Sequence, residues 1–324
     1  MLSIDNLQDK LNKVFADIRL QGQPSELYEP IRYAMELGGK RMRPLLTLLA
    51  CDLFGGDVQK AIDAAIGIEL FHNFTLLHDD IMDQAPLRRG KETVYKHWNA
   101  NRAILSGDTM FAMANRYMLR TPPSCLARVL DIFNRTAIEV CEGQQLDMNF
   151  ETRQDVSVPE YMEMIRLKTA VLLAASLQIG ALTAGASPTG AQQLYECGKS
   201  LGLAFQLTDD LLDAYGDEST FGKMTGGDIV ANKKTYLFLR ALERASETQR
   251  TVLLELFAHT PHDPGQKIIE VKKIFDELGV KELTRNVIDA YFEKALSQLK
   301  STGLPEADTN VLKDYAALLM QRQV

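Results

Sequence analysis

Leu77-His78-Asp79-Asp80-Ile81-Met82-Asp83 and, 130 residues on, Leu207-Thr208-Asp209-Asp210-Leu211-Leu212-Asp213 share one acidic spacing, D-D-x-x-D. Both copies sit in apolar, helix-like runs. Positions i and i+4 of a helix share a face, so each copy points two or three carboxylates the same way. Massed carboxylates repel one another and resist burial unless a cation compensates. Hard divalent cations prefer clustered oxygen ligands, and Mg²⁺ commonly bridges carboxylates to phosphates. One copy alone would read as a solvated helix face. Two copies in one helical chain point to a metal–diphosphate site.

Outward from the triplets, helical periodicity dominates and strand alternation is scarce. Helices are expected near Asp5–Leu20, Ser25–Leu37, Pro44–Phe54, Val58–Asp83, Arg102–Leu119, Ser124–Phe150, Pro159–Ala184 and Gln192–Tyr215. Several more should fill Asp228–Gln323, with breaks near His259–Pro264 and Thr302–Pro305. Ser157-Val158-Pro159-Glu160 has capping-box spacing. Gly38-Gly39 follows a helical run and suits a left-handed cap. The expected fold is all-α, one large helical bundle. With no Gly/Ser tract or Pro-rich linker, residues 1–324 read as one domain.

Composition narrows the function classes. The 324 residues are 46% hydrophobic and carry a net charge of −7, which disfavours electrostatic nucleic-acid binding. No run of about 18 apolar residues stands out as a membrane span. Met1-Leu2-Ser3-Ile4-Asp5 lacks the pattern of a secretory signal, so the expected location is cytoplasmic. Cys51, Cys125, Cys141 and Cys197 are scattered without metal-ligand spacing, and are expected to be buried free thiols.

Basic residues attend both triplets. Arg88-Arg89-Gly90-Lys91 follows Asp83, and Lys223 then Lys233-Lys234 follow Asp213. Arg binds diphosphate oxygens bidentately and offsets the repulsion between anion and aspartates. Any one basic pair is commonplace; its place beside an acidic triplet gives it weight. His72 lies seven residues before Asp79, on the stripe shared by Asp79 and Asp83. A lone His on an apolar face is usually a core residue, but this one shares its stripe with two acids. Glu69-x-x-His72 has the spacing of a di-iron ligand pair, but the second copy such a site needs is missing. Lys168-Thr169 enters a small apolar run, where a lysine can simply snorkel to solvent. Gln206 lies three residues before Asp209, near its face, or is an ordinary buried amide.

On these residues the chain resembles the trans (head-to-tail) isoprenyl diphosphate synthases, most closely the medium-chain farnesyl and geranylgeranyl synthases. The likeness spans nearly the whole chain. It includes Gly38-Gly39-Lys40-Arg41-Met42-Arg43-Pro44, His72 to Gly90, Ser106-Gly107-Asp108, Gly143-Gln144-Gln145-Leu146-Asp147, Lys168-Thr169, Phe205 to Asp213 and Phe221-Gly222-Lys223. The resemblance implies an isoprenoid-synthase bundle with a central active-site cavity. It implies that Asp79, Asp80, Asp83, Asp209, Asp210 and Asp213 hold Mg²⁺, three ions with substrate bound, on an allylic diphosphate. Arg88, Lys168, Gln206, Lys223 and Lys233 would contact that substrate. Lys40, Arg43, His72 and Arg89 would bind the diphosphate of isopentenyl diphosphate. Thr169 and Gln206 would stabilise an allylic cation, and the protein would be a homodimer. One departure is Asn232-Lys233-Lys234-Thr235, where the family often has Gly-Lys-x-Thr; Lys233 is taken as the contact.

Product length would be set upstream of Asp79. Phe74 lies five residues before it, about 7 Å deeper along the helix. With Thr75, its ring would floor a tunnel and favour a C20 product, with C15 next; Phe71 is the alternative floor. Three other readings compete. A class I terpene cyclase usually carries an Asn/Asp–Ser/Thr–Glu second motif, and head-to-head synthases carry D-x-x-x-D. A silent subunit of a heteromeric synthase tends to lose one triplet, and both are intact here.

Overall fold

The computed structural model describes residues 2–216, 225–258 and 263–320. The fold is all-α, as expected. Helix α1 spans Ile4–Asp17, α2 Ser25–Glu36, α3 Met42–Leu53 and α4 Ile62–Met82. A hairpin of β1 (Leu87–Arg88) and β2 (Lys91–Glu92) follows. Then come α5 (Val94–His97), α6 (Ala100–Met118), α7 (Leu126–Thr152) and α8 (Val158–Ile165). A π-helical turn at Arg166–Ala170 leads into α9 (Val171–Thr183) and α10 (Pro188–Tyr215). The remaining helices are α11 (Gly227–Val230), α12 (Tyr236–Arg244), α13 (Glu247–Ala258), α14 (Pro264–Glu277), α15 (Val280–Lys300) and α16 (Glu306–Met320).

Local chemistry accounts for many of these boundaries. The Ser3 side chain caps α1, whose Leu7, Leu11 and Phe15 recur every four residues and are buried. The Ser157–Glu160 capping box forms as expected. The run expected from Val58 starts as a 3₁₀ turn, Val58–Ala61, capped by Asp57, before α4 proper. Gly38 and Gly39 adopt φ values of 73° and 137°, which turns the chain between α2 and α3. The hairpin is a feature the sequence reading lacked. Arg89 and Gly90 fill its two-residue loop with φ of 54° and 76°, the positive pair a tight hairpin requires.

The chain divides into two compact units: Met1–Asn134 with Ala175–Leu194 and Thr302–Val311, and Arg135–Ala174 with Tyr195–Ser301 and Leu312–Val324. Four of the five boundaries fall inside α7, α9, α10 and α16, and the fifth, Ser301/Thr302, falls in the short connection between α15 and α16. In the first unit α4 packs along α6 and α3, and α3 is buried almost all round. In the second, Tyr161, Ile165, Leu203, Leu207, Leu211, Tyr236, Phe238 and Phe275 belong to one apolar cluster.

Two expectations need correction. The run Val158–Thr183 is long and apolar enough to cross a membrane, although 83% of its most apolar window is buried inside the protein, as in a core helix. The four cysteines are free, but Cys141 is exposed, because its position on α7 faces solvent.

Candidate active site

In the first unit, cations gather around α4. His72 Nε2 lies 3.1 Å from Arg43 Nη1 at the start of α3. Arg88, on β1, donates to Asp80 Oδ1 through Nε at 2.8 Å and Nη2 at 2.7 Å. Arg89 lies over Gly39: a Cβ built there would stand 2.6 Å from its Nη2 and displace the guanidinium, and the φ of 137° also favours glycine. Glu69 is buried one turn before His72, and Asn73 donates to its carboxylate at 3.2 Å. Burial pushes the Glu69 carboxyl up, while Arg43, the Asn73 hydrogen bond, Arg41 and Arg89 pull it down. Four arginines thus surround two buried acids, Glu69 and Asp80. The excess positive charge suits a multiply charged anion. Lys40 is exposed on the adjoining turn.

Burial and the charges of Arg43, Arg89 and Arg88 hold His72 well below the usual imidazole range. The ring is therefore neutral at neutral pH. Arginine only donates, so Nε2 accepts and Nδ1 carries the proton. Stability then depends on pH through this ring. Below about pH 6.5 the unfolded chain protonates this histidine while the folded chain does not. Its contribution is full above that pH and falls as pH drops toward the folded value, by at most about 1.4 kcal/mol per pH unit. Urea unfolding of metal-free wild type and His72→Gln should therefore converge in stability between pH 7 and 5.5. A constant difference would contradict the neutral ring.

The aspartates of each triplet divide by burial. Asp80 is 3% exposed and Asp210 5%, whereas Asp79, Asp209 and Asp213 are half-buried and Asp83 is exposed. Helix geometry explains this: i and i+4 share a face, and i+1 lies about 100° round. The expectation of two or three carboxylates on one face narrows to two, with the middle residue turned inward. Among the described residues no three His, Cys, Asp or Glu side chains already converge as a metal site. Burial, Asp228 and Asp209 push the Asp210 carboxyl up to about 7 against hydrogen bonds from Tyr161 and Gln206. Such crowded negative charge suits a cation nearby.

Phe74 stacks on Phe111 of α6, with centroids 5.4 Å apart, and packs against Phe71 at 5.6 Å. Phe71 is fully buried and also meets Phe133, which makes it a core residue; Phe74 keeps some exposure. Thr75 turns its hydroxyl back onto the His72 carbonyl at 2.8 Å. The Ser106-Gly107-Asp108 segment serves packing, since Ser106 donates to Leu27 O at 2.9 Å and Gly107 lies against the His78 ring.

In the second unit, Lys168 and Thr169 sit on the π turn, not on a regular helix. Such turns recur at functional sites. Two glycines make room for it. A Cβ on Gly143 of α7 would collide with the Lys168 amide, and one on Gly202 of α10 would stand 2.5 Å from Ala170 Cα. Lys168 Nζ pairs with Asp147 at 2.6 Å. Thr169 Oγ1 donates to Gln206 Oε1 at 2.9 Å, and Gln206 Nε2 donates to Asp210 Oδ1 at 3.1 Å. The buried Tyr161 hydroxyl donates to Asp210 Oδ2. Asp213 accepts the Asp228 amide at 2.9 Å at the start of α11.

The two later lysines separate clearly. Lys234 Nζ donates to the carbonyls of Phe150 and Glu151 at 2.7 and 3.1 Å, near the end of α7. Lys233 is half-exposed and lies 3.4 Å from Asp228. Asn232, where the family often has glycine, takes the left-handed conformation at φ 59°, and its side chain accepts from the buried Lys267. Lys223, together with Phe221 and Gly222, lies outside the described residues. Sequence reasoning gave no role to Glu69, Asp147, Tyr161 or Asp228. Asp147 was within reach, as the end of the Gly143–Asp147 segment, and Glu69 stood out only as half of a rejected metal-ligand spacing; Tyr161 and Asp228 carry no local signal.

Residues 24–278 match the family model described as polyprenyl synthetase. The chain is 36% identical to a geranylgeranyl diphosphate synthase of Methanosarcina mazei, covering 97% of this chain and 99% of that one. It is 35% identical to a geranylfarnesyl diphosphate synthase of Natronomonas pharaonis, covering 93% and 91%. A solved geranylgeranyl pyrophosphate synthase superposes with a TM-score of 0.95 at 45% identity, covering 100% of both chains. The fold is thus that of the all-α isoprenoid synthases. Within that class, the chain belongs to the polyprenyl synthetase family. It is a trans-prenyltransferase, acting in head-to-tail prenyl chain elongation; its family uses isopentenyl and allylic diphosphates and a divalent metal for diphosphate binding.

Proposed function

We propose that this chain makes geranylgeranyl diphosphate, C20, by adding isopentenyl diphosphate to shorter allylic diphosphates. The observation that carries the product length is Phe74: a partly exposed ring about 7 Å up α4 from Asp79, backed by Phe111 and Phe71. The names of several relatives support C20, and two relatives carry a C25 name.

In this reading Arg43, His72 and Arg89, with Lys40, bind the diphosphate of isopentenyl diphosphate. Arg88, Lys168, Lys223 and Lys233 hold the allylic diphosphate. Asp79, Asp83, Asp209 and Asp213 hold Mg²⁺, three ions with substrate bound, and Asp80 and Asp210 serve as their inward anchors. The metal supplies Lewis-acid neutralisation of the leaving diphosphate. Thr169 and Gln206 direct fixed dipoles at the allylic cation. The π bond of isopentenyl diphosphate then forms the new C–C bond, and the released diphosphate takes the departing proton. Apolar residues around both triplets keep water from the cation. We extend the proposal to a cytoplasmic homodimer in which residues 1–324 act as one functional domain, since the family match runs through both units.

The test is a product assay with Mg²⁺, isopentenyl diphosphate and each of dimethylallyl, geranyl and farnesyl diphosphate, read by mass after dephosphorylation. A dominant C20 alcohol is expected. Phe74→Ala should move the distribution to C25 and longer, because removing the ring deepens the tunnel. An unchanged distribution from a folded variant would remove Phe74 from this role, and a C30 ladder from wild type would overturn the C20 reading.

A further inference from the structure

Four side chains in the second unit form one directed chain. Tyr161, on α8, is 4% exposed and donates its hydroxyl to Asp210 Oδ2. The other carboxylate oxygen accepts from Gln206 Nε2 at 3.1 Å, one helical turn earlier on α10. Gln206 Oε1 in turn accepts from Thr169 Oγ1 at 2.9 Å, on the π turn. Both Asp210 oxygens act as acceptors here, one from Tyr161 and one from Gln206, whereas an amide has a donor end and an acceptor end of nearly equal shape. Asp210 therefore admits only the NH₂ end of Gln206. That leaves the carbonyl end toward Thr169, with a second lone pair on Oε1.

We propose that Tyr161 and Asp210 are positioning residues that set the polarity of the Gln206 amide. The proposal rests on the reading that Gln206 and Thr169 face the allylic cation. There the orientation decides the outcome. A carbonyl oxygen aimed at a developing cation stabilises it, and an NH₂ group in the same place opposes it. Tyr161 never meets substrate. Its hydroxyl occupies Asp210 Oδ2 and stops the carboxylate from rotating away from Gln206. The assignment also explains why the middle residue of the second triplet is buried among protein donors while Asp209 and Asp213 are less covered.

The test combines kinetics with an observation on metal-free protein. Tyr161→Phe keeps the ring and removes only the hydroxyl. We expect kcat to fall about 10-fold, as the loss of one charge-assisted hydrogen bond would allow, with KM for isopentenyl diphosphate within about twofold. Asp210→Asn, which can meet either end of the amide, should lower kcat about 100-fold. The double variant should be no slower than Asp210→Asn alone, because Tyr161 acts only through Asp210. In ¹⁵N spectra of metal-free protein, the Gln206 side-chain amide signals should shift in Tyr161→Phe. Unchanged Gln206 signals, multiplicative kcat losses, or a Tyr161→Phe kcat within twofold of wild type would each overturn the proposal. Gln206 spectra decide the relay without substrate, so a wild-type chain that failed to elongate would count against the proposed site and leave that arm standing. Asp210→Glu, read in the same spectra, serves if Asp210→Asn does not fold.

Discussion

Replacing Asp79 or Asp209 with alanine is expected to lower kcat by about 10³-fold or more while the protein stays folded. Removing a single preorganised group that stabilises a developing charge already costs about 10²–10³-fold. A carboxylate that helps hold a metal ion on the leaving diphosphate should cost no less. Stability should respond differently. Asp209 pushes the buried Asp210 carboxyl upward by like-charge repulsion. Removing it from metal-free protein relieves that repulsion, so the unfolding midpoint should hold or rise. Asp80→Ala is the contrast: it strips the Arg88 guanidinium of its buried partner and should lower stability as well as turnover. Steady-state kinetics with saturating Mg²⁺ and urea unfolding without metal separate the two effects. Near-normal turnover in both Asp79→Ala and Asp209→Ala would sink the metal reading.

A second large effect is expected at a residue that touches no substrate. Gly143→Ala adds one methyl group where α7 meets the backbone of the π turn, against the Lys168 amide and the Leu167 carbonyl carbon. Backbone cannot step aside as the tip of a flexible side chain can. Overpacking of this kind costs about 1–3 kcal/mol. The strain would also displace Lys168 and Thr169, and a shift of about 1 Å in a reacting geometry costs on the order of 10²-fold in rate. Both losses should appear together, in the urea midpoint and in kcat. Gly190→Ala is the control, because its new methyl group would meet the Phe54 ring at 3.2 Å and the Ser187 hydroxyl at 3.3 Å, both side chains. Wild-type stability and turnover in Gly143→Ala would show that the π turn tolerates movement.

What could be read from residue order was what depends on near neighbours. The two triplets, the helices that carry them, the Ser157–Glu160 capping box and the Gly38-Gly39 turn all follow from spacing within a few residues, where helix period and capping chemistry act. Arg88 and Arg89 were legible because an acidic triplet needs compensating charge, whereas Arg43 beside His72 came only from the family resemblance. The Arg89-Gly90 hairpin was missed although its turn chemistry is local, because strands of two residues are too short to show alternation beside long helical runs.

Tertiary structure alone decided the rest. Lys233 and Lys234 are neighbours of one type, and only the position of the Phe150 and Glu151 carbonyls commits Lys234 to the scaffold. The π turn exists because Gly143 and Gly202 let two other helices approach it closely. Glu69 and Tyr161 take their roles from partners on other elements or from charges that folding gathers round them. Sequence by itself determined the helices and the two acidic triplets, because each rests on short-range periodicity and residue chemistry, and the reaction class followed from the family resemblance those motifs carry. Which aspartate turns inward and which lysine is left toward solvent were decided by packing, since burial and hydrogen-bond partners come from segments distant in the chain.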